Sequence, residues 1–211
     1  MNIAQPAKTM MSLAGMIPLD ANVEMIHYGA DGKIKPIFQE NALAIELIKK
    51  GILNPHWINS WYAPILSPLL GKWSTSKNMR NLVPTAGKAG VASRINGAGS
   101  EALFDKIGWG TGTTSPAAGD TTLQTEVNLS GGAASGVHVI SSATASRVTT
   151  TVTNDTAQLV GTATASGTIA ITESGVFNAA TNGTLLCRQT FSAINVVSGD
   201  SIQFTWKIAA A

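Results

Sequence analysis

Ser201-Ile202-Gln203-Phe204-Thr205-Trp206-Lys207-Ile208 alternates large apolar and polar side chains without a break. Successive side chains of an extended strand point to opposite faces. Ile202, Phe204, Trp206 and Ile208 therefore share one face, and Gln203, Thr205 and Lys207 share the other. This is the pattern of a strand with one face on a core. Working back from it, short strands are predicted at 103–109, 125–129, 137–142, 146–153, 157–165, 168–172 and 185–191. Turn residues separate several of them: Gly131-Gly132, Asn154-Asp155, Ser166-Gly167, Asn182-Gly183 and Ser198-Gly199-Asp200. Regular short strands with explicit turns predict an antiparallel β-sandwich rather than a parallel α/β sheet. Residues 121–126 also fit a helical turn, with Thr121 and Gln124 as a capping pair.

The other end of the chain reads differently. Residues 1–85 hold three of the five Trp, all six Met and seven of the eight Pro. Over 1–36 neither periodicity persists, which predicts an extended arm with a short strand at 23–28 and a turn at Asp31-Gly32. A single helix is predicted at 39–50: Leu43, Leu47 and Ile48 recur at helical spacing, Lys49-Lys50 fill the last turn and Gly51 follows. The expected fold is mainly β, with an extended, partly helical N-terminal arm over 1–85 and a β-sandwich domain over 86–211. Within the arm, NPHWINSWYAPILSPLLGKW (54–73) is aromatic, aliphatic and interrupted by proline. Each Trp buries ~150–250 Å², worth roughly 4–6 kcal/mol at most at ~25 cal/mol per Å². These side chains pack either on the chain's own β domain or on a partner. In the second case Trp57, Trp61, Tyr62, Ile65, Leu69 and Trp73 form the protein interface, and removing 1–79 leaves a folded β domain.

Composition narrows the function. Charged residues make up 12% of the chain, about half the usual share, so Thr, Ser, Asn and Gln must cover much of the surface. The net charge of +2 divides into eleven Lys/Arg against seven Asp/Glu over 1–110, and three against five beyond. No clustered basic face results, so no nucleic-acid partner is expected. The apolar stretch 52–70 is broken by polar residues and three prolines, so no membrane span is expected either. Cys187 is the only cysteine, which rules out an intrachain disulfide and a cysteine-based zinc site.

Catalytic patterns are weak. Gly108-Trp109-Gly110-Thr111-Gly112 begins like a dinucleotide fingerprint, but Pro116 and Gly119 follow where a helix is required. His27, His56 and His138 lack neighbouring carboxylates at ligand spacing and read as structural. Cys187 sits in an apparent strand, where a buried small side chain is the simplest account. Asp120, Glu126 and Glu173 are candidates to converge in space, and Glu173 before Ser174-Gly175 reads as a loop organiser. No catalytic, cofactor or metal residues are assigned, and the chain is expected not to be an enzyme.

Four blocks then carry a resemblance: Ile107–Thr114 (IGWGTGTT), Asp120–Glu126 (DTTLQTE), Glu173–Ala180 (ESGVFNAA) and the GDSIQFTW run into the last strand. Together over about 80–211 they resemble a group of tailed-bacteriophage virion structural proteins, with a lesser likeness at YGADGKIKPIFQ (28–39). The resemblance implies a location in the virion. It implies a capsid decoration, or cement, protein gripping the shell through its N-terminal arm. The major capsid protein or other virion proteins are then partners, and a closed homo-oligomer such as a trimer is expected. The alternative is a tail or baseplate component, attaching a fibre or touching the receptor. A carbohydrate-binding sandwich is a third class, for which the β domain has few spare aromatics.

Overall fold

The computed structural model describes residues 19–127 and 143–210. The strand predicted at 137–142 and the turn at Gly131-Gly132 lie outside them. Twelve strands are described: β1 (Leu19–Tyr28), β2 (Ile34–Lys35), β3 (Ile37–Glu40), β4 (Gly71–Ser74), β5 (Lys77–Asn81), β6 (Lys106–Gly110), β7 (Glu126–Val127), β8 (Thr144–Val148), β9 (Thr156–Thr164), β10 (Ile169–Phe177), β11 (Leu185–Val196) and β12 (Ser201–Ala210). One sheet runs β2-β1-β12-β9-β8, with β5 also on the outer edge of β1. A second runs β11-β10-β6-β7, and β3 pairs with β4. All these pairings are antiparallel. The expected antiparallel β-sandwich is the observed fold.

Its core lies between the two larger sheets. Ile202, Phe204, Trp206 and Ile208 face inward from β12 as the alternation requires, and Leu159 and Ala163 join them from β9. The opposing sheet supplies Ile107, Trp109, Ile171, Val176, Phe191 and Ile194. Trp109 meets Phe204 edge-to-face across the layers, with ring centroids 6.2 Å apart. That geometry places a positive ring edge on a negative ring face.

The boundary at residue 85 is corrected. β1 is a full member of the sandwich, pairing with β12 from Leu19↔Ala210 to Tyr28↔Ser201. Ala21, Val23 and Met25 stand opposite Ile208, Trp206 and Phe204 and are as buried as they are. Removing residues 1–79 would strip this strand and part of β5 from the sheet, so the remainder is not an intact domain. The true insertion is Ile37 to Ser74, closed at its base by the β3–β4 pair.

Inside the insertion the single predicted helix becomes three helical pieces. α1 (Ala42–Lys49) starts later than predicted because Ile37–Glu40 are held as a strand by β4. The Asn41 side chain caps α1 by accepting from Ala44 N–H at 3.0 Å, and Gly51 follows in the left-handed region at φ 69°. A 3-10 turn (Pro55–Asn59) and α2 (Ala63–Leu70) come next. Pro55 and Pro64 occupy first-turn positions, where the missing N–H has no intrahelical partner to lose, so these prolines start helices rather than break them. α3 (Thr85–Asn96), a further unpredicted helix, lies outside the insertion. It packs on β11 with Gly87 so close that a Cβ there would meet the Leu186 carbonyl oxygen at 2.2 Å.

Other strand bounds shift for local reasons. β8 ends at Val148, short of the predicted 153, because the Asp155 carboxylate accepts the N–H groups of Thr150, Thr151 and Val152, each at 2.8 Å, and folds them into a turn. Residues 121–126 form no helical turn. Instead the Glu173 carboxylate accepts from Gly112 N–H (3.0 Å), Gln124 N–H (3.0 Å) and Thr125 N–H (2.7 Å). Arg188 binds that carboxylate at 2.9 Å, together with Asp120 at 2.8 Å. A Cβ at Gly112 would fall 2.3 Å from Glu173 Oε1, so the glycine-rich strand exit makes room for a carboxylate rather than a phosphate. Of the three carboxylates considered together, Asp120 and Glu173 do meet, on Arg188.

Candidate interaction surface

The insertion carries its own small core. Phe38, Ala44, Leu53, Trp57, Ala63 and Leu70 are buried together, with Leu47, Ile48, Ile58, Tyr62 and Leu66 packed against them. Phe38 joins two tryptophans edge-on, at 5.1 Å to Trp57 and 5.6 Å to Trp73. Trp57 is 0% exposed. It therefore stands corrected as an interface residue: it is the centre of this core. Tyr62, just before α2, is half-buried against the same core and stacks edge-on with Trp61 at 5.8 Å.

The remaining four of the six residues point outward. Trp61 is 85% exposed, Ile65 70%, Leu69 62% and Trp73 59%. Ile65 and Leu69 are four residues apart on α2 and so share one helix face, with Trp61 at the helix start and Trp73 on the adjoining β4. Leu43 and Ile52 of the insertion are exposed as well. Neither was expected to be an interface residue. Leu43 has the helical spacing of a core residue, and only the packing of α1 through Ala44 turns it outward.

This face is held firmly to the sandwich. The 3-10 turn rests on β11, where Asn59 and Asn195 exchange hydrogen bonds at 3.1 and 2.6 Å. Beneath the insertion Glu40, at the end of β3, reaches Lys77 on β5 and Ser192 on β11. Lys77 Nζ lies 2.5 Å from Glu40 Oε2 and 3.0 Å from Ser192 Oγ, and both charged side chains are essentially inaccessible. An open cleft of about 340 Å³ remains beside this junction, lined by Ile45, Ile48, Met79, Leu82 and Phe191 among others.

A second buried cluster ties β1 to the β11–β12 turn. His27 Nε2 is 3.0 Å from Asp200 Oδ2, and Lys35 Nζ donates to both carboxylate oxygens at 2.8 and 2.7 Å. Burial pushes the Asp200 carboxyl up, but donors from Lys35, His27 and the Val197 N–H outweigh it and hold it at about 2. Burial lowers the pKa of His27 more than Asp200 raises it.

The groups weighed for chemistry have structural surroundings. Cys187 is fully buried, and burial pushes its thiol well above the ordinary range, which leaves it unreactive. Among the described residues no three His, Cys, Asp or Glu side chains gather as metal ligands, and no helix is long and apolar enough to cross a membrane. The chemistry of the exposed face is hydrophobic contact. Comparison with known protein families, with curated proteins and with solved structures finds no match for this chain.

Proposed function

We propose that this chain is a structural protein of a bacteriophage particle, a capsid decoration protein that seats Trp61, Ile65, Leu69 and Trp73 on a neighbouring virion protein. The observation that carries the reading is that all four side chains are left in water on a segment fixed by a core of its own. Two tryptophans and two aliphatic side chains left in water on a rigid scaffold are the usual anchors of a protein interface. Support for the virion as the setting comes from the four sequence blocks over 107–206 that resemble phage structural proteins. Thr- and Ser-rich strands with few charges suit a domain turned to solvent beyond the joint.

Gold-labelled antibody against the chain, applied to intact particles of the phage that encodes it, is expected to decorate the whole shell. Label confined to the tail would replace this reading with the tail or baseplate one, and particles free of label would end both. The contact itself is tested with the double variant Trp61→Ser, Leu69→Ser. Exposed positions away from special features change stability by about 0.5 kcal/mol or less. The variant should therefore melt like the wild type yet be recovered in particles at least tenfold less. Normal incorporation would place the contact elsewhere on the molecule.

A further inference from the structure

We propose that Lys77 and Glu40 are joined by an isopeptide bond, formed within the folded chain by condensation of the two side chains. The proposal starts from an ion pair in the wrong place. Both side chains are removed from water, at 0% and 1% exposure, and the Phe191 ring covers the ammonium 5.8 Å from its centroid. Two opposite charges in such a site lower their energy by passing a proton and becoming neutral. Burial pushes the Lys77 pKa down, opposed by the Glu40 carboxylate, and a deprotonated amine is a nucleophile.

The carboxyl group is arranged to be attacked. Its Oε1 accepts two donors from one residue, the Ser192 N–H at 2.9 Å and the Ser192 hydroxyl. Two fixed donors on one oxygen are what stabilises the oxyanion of a tetrahedral intermediate. Lys77 Nζ stands 2.5 Å from the other oxygen, Oε2. Ser192 Oγ, 3.0 Å from Nζ, also holds the amine beside the carboxyl group.

The step balances without a co-reactant. The Nζ lone pair of neutral Lys77 forms a bond to Cδ of protonated Glu40, and charge collects on Oε1. The Cδ–Oε2 bond then breaks. Oε2 leaves as water, carrying its own proton and one passed directly from the adjacent Nζ, and Cδ=Oε1 re-forms as the amide carbonyl. No atom is oxidised or reduced. Holding the two groups in contact supplies effective concentrations of about 10⁵–10⁸ M, and the dry surroundings oppose the return of water.

The bond would link the end of β3 to β5 and close residues 40–77 into a ring that holds the helices of the insertion and β4. A covalent closure acts as a disulfide does, by removing freedom from the unfolded chain. A chain whose only cysteine is Cys187 has no disulfide within itself to do this.

The experiment is the intact mass of the denatured wild-type protein, with Lys77→Met as the reference sharing its N-terminus. The wild type is expected to be lighter than its sequence by one water, and Lys77→Met to have its full sequence mass, whether or not that variant folds. Proteolysis of the wild type should release one branched peptide containing Glu40 and Lys77. Ser192→Ala, lacking one oxyanion donor, should remain mostly at full mass. A wild type at full sequence mass overturns the proposal, and so does a branch through any other pair of residues.

Discussion

The sandwich core and the insertion core solve the same problem by different routes. The sandwich joins residues from the two ends of the described chain, Val23 opposite Trp206 and Met25 opposite Phe204, in sheets whose strands bury one face or both. The insertion closes within about forty residues, on a single tryptophan, with short helices that cannot cover themselves. Its outer side therefore keeps Trp61, Ile65, Leu69 and Trp73 in water, whereas Phe204 and Trp206 of the sandwich are fully buried. A large core can hide its aromatics. A small one pinned to its flank leaves some of them in water.

The sharpest break in that comparison is expected from Trp206→Ala. The ring is fully buried between the sheets, and loss of such a side chain costs about 3–5 kcal/mol. The denaturant midpoint of the whole molecule should fall accordingly. A shift below about 1 kcal/mol would mean that the sandwich repacks around the hole. Trp57→Ala removes an equally buried ring, yet its effect should remain local. Amides of α1, α2 and the 3-10 turn are expected to exchange rapidly while those of β1, β9 and β12 keep wild-type protection. If all lose protection together, the two cores are one cooperative unit.

The smallest effect concerns acid. The folded pKa of His27 lies below its ordinary 6.5, so the unfolded chain binds the proton more readily and stability declines as pH drops through that value. Asp200 adds in the same direction, since its folded pKa of about 2 lies below the ordinary 3.8, and its contribution is lost between those values. His27→Gln keeps a donor for Asp200 but does not titrate. Its denaturant midpoint should be flatter than the wild type's between pH 7 and pH 5 (bounds set about the ordinary histidine value). An identical slope would remove His27 as the cause.

How much of this could be read from the sequence depended on whether a residue's role was local. β12 was legible because Ile202, Phe204, Trp206 and Ile208 each obey the period of the strand they sit in. β9 was placed near its observed start for the same reason, and β11, buried on both faces, by the Asn182-Gly183 turn before it. β5 was not, because Lys77 fills a core position and its charge cancels the alternation that Met79 would otherwise extend. Glu40 and Ser192, distant in the chain, make that lysine acceptable there. α3 was missed because Gly87 and Gly90 read as loop residues, whereas glycine is what lets the helix lie against β11 and Phe104. In the candidate face, aromatic density marked a segment that leaves large apolar side chains exposed. Trp57 and Trp61 are four residues apart and similar in setting, so nothing local tells the buried ring from the exposed one. That distinction is made by Phe38 and Leu53, which arrive from elsewhere in the insertion.

The neighbouring placement of β1 and β12 has a further consequence for how the protein is made. His27 and Asp200 are 173 positions apart, so the first strand leaves the ribosome long before its main partner exists. Until then the nascent chain carries Val23 and Met25 on an open edge, a state that invites pairing with another copy. Rapid synthesis, or a chaperone holding that edge, would govern yield more than the stability of the finished molecule.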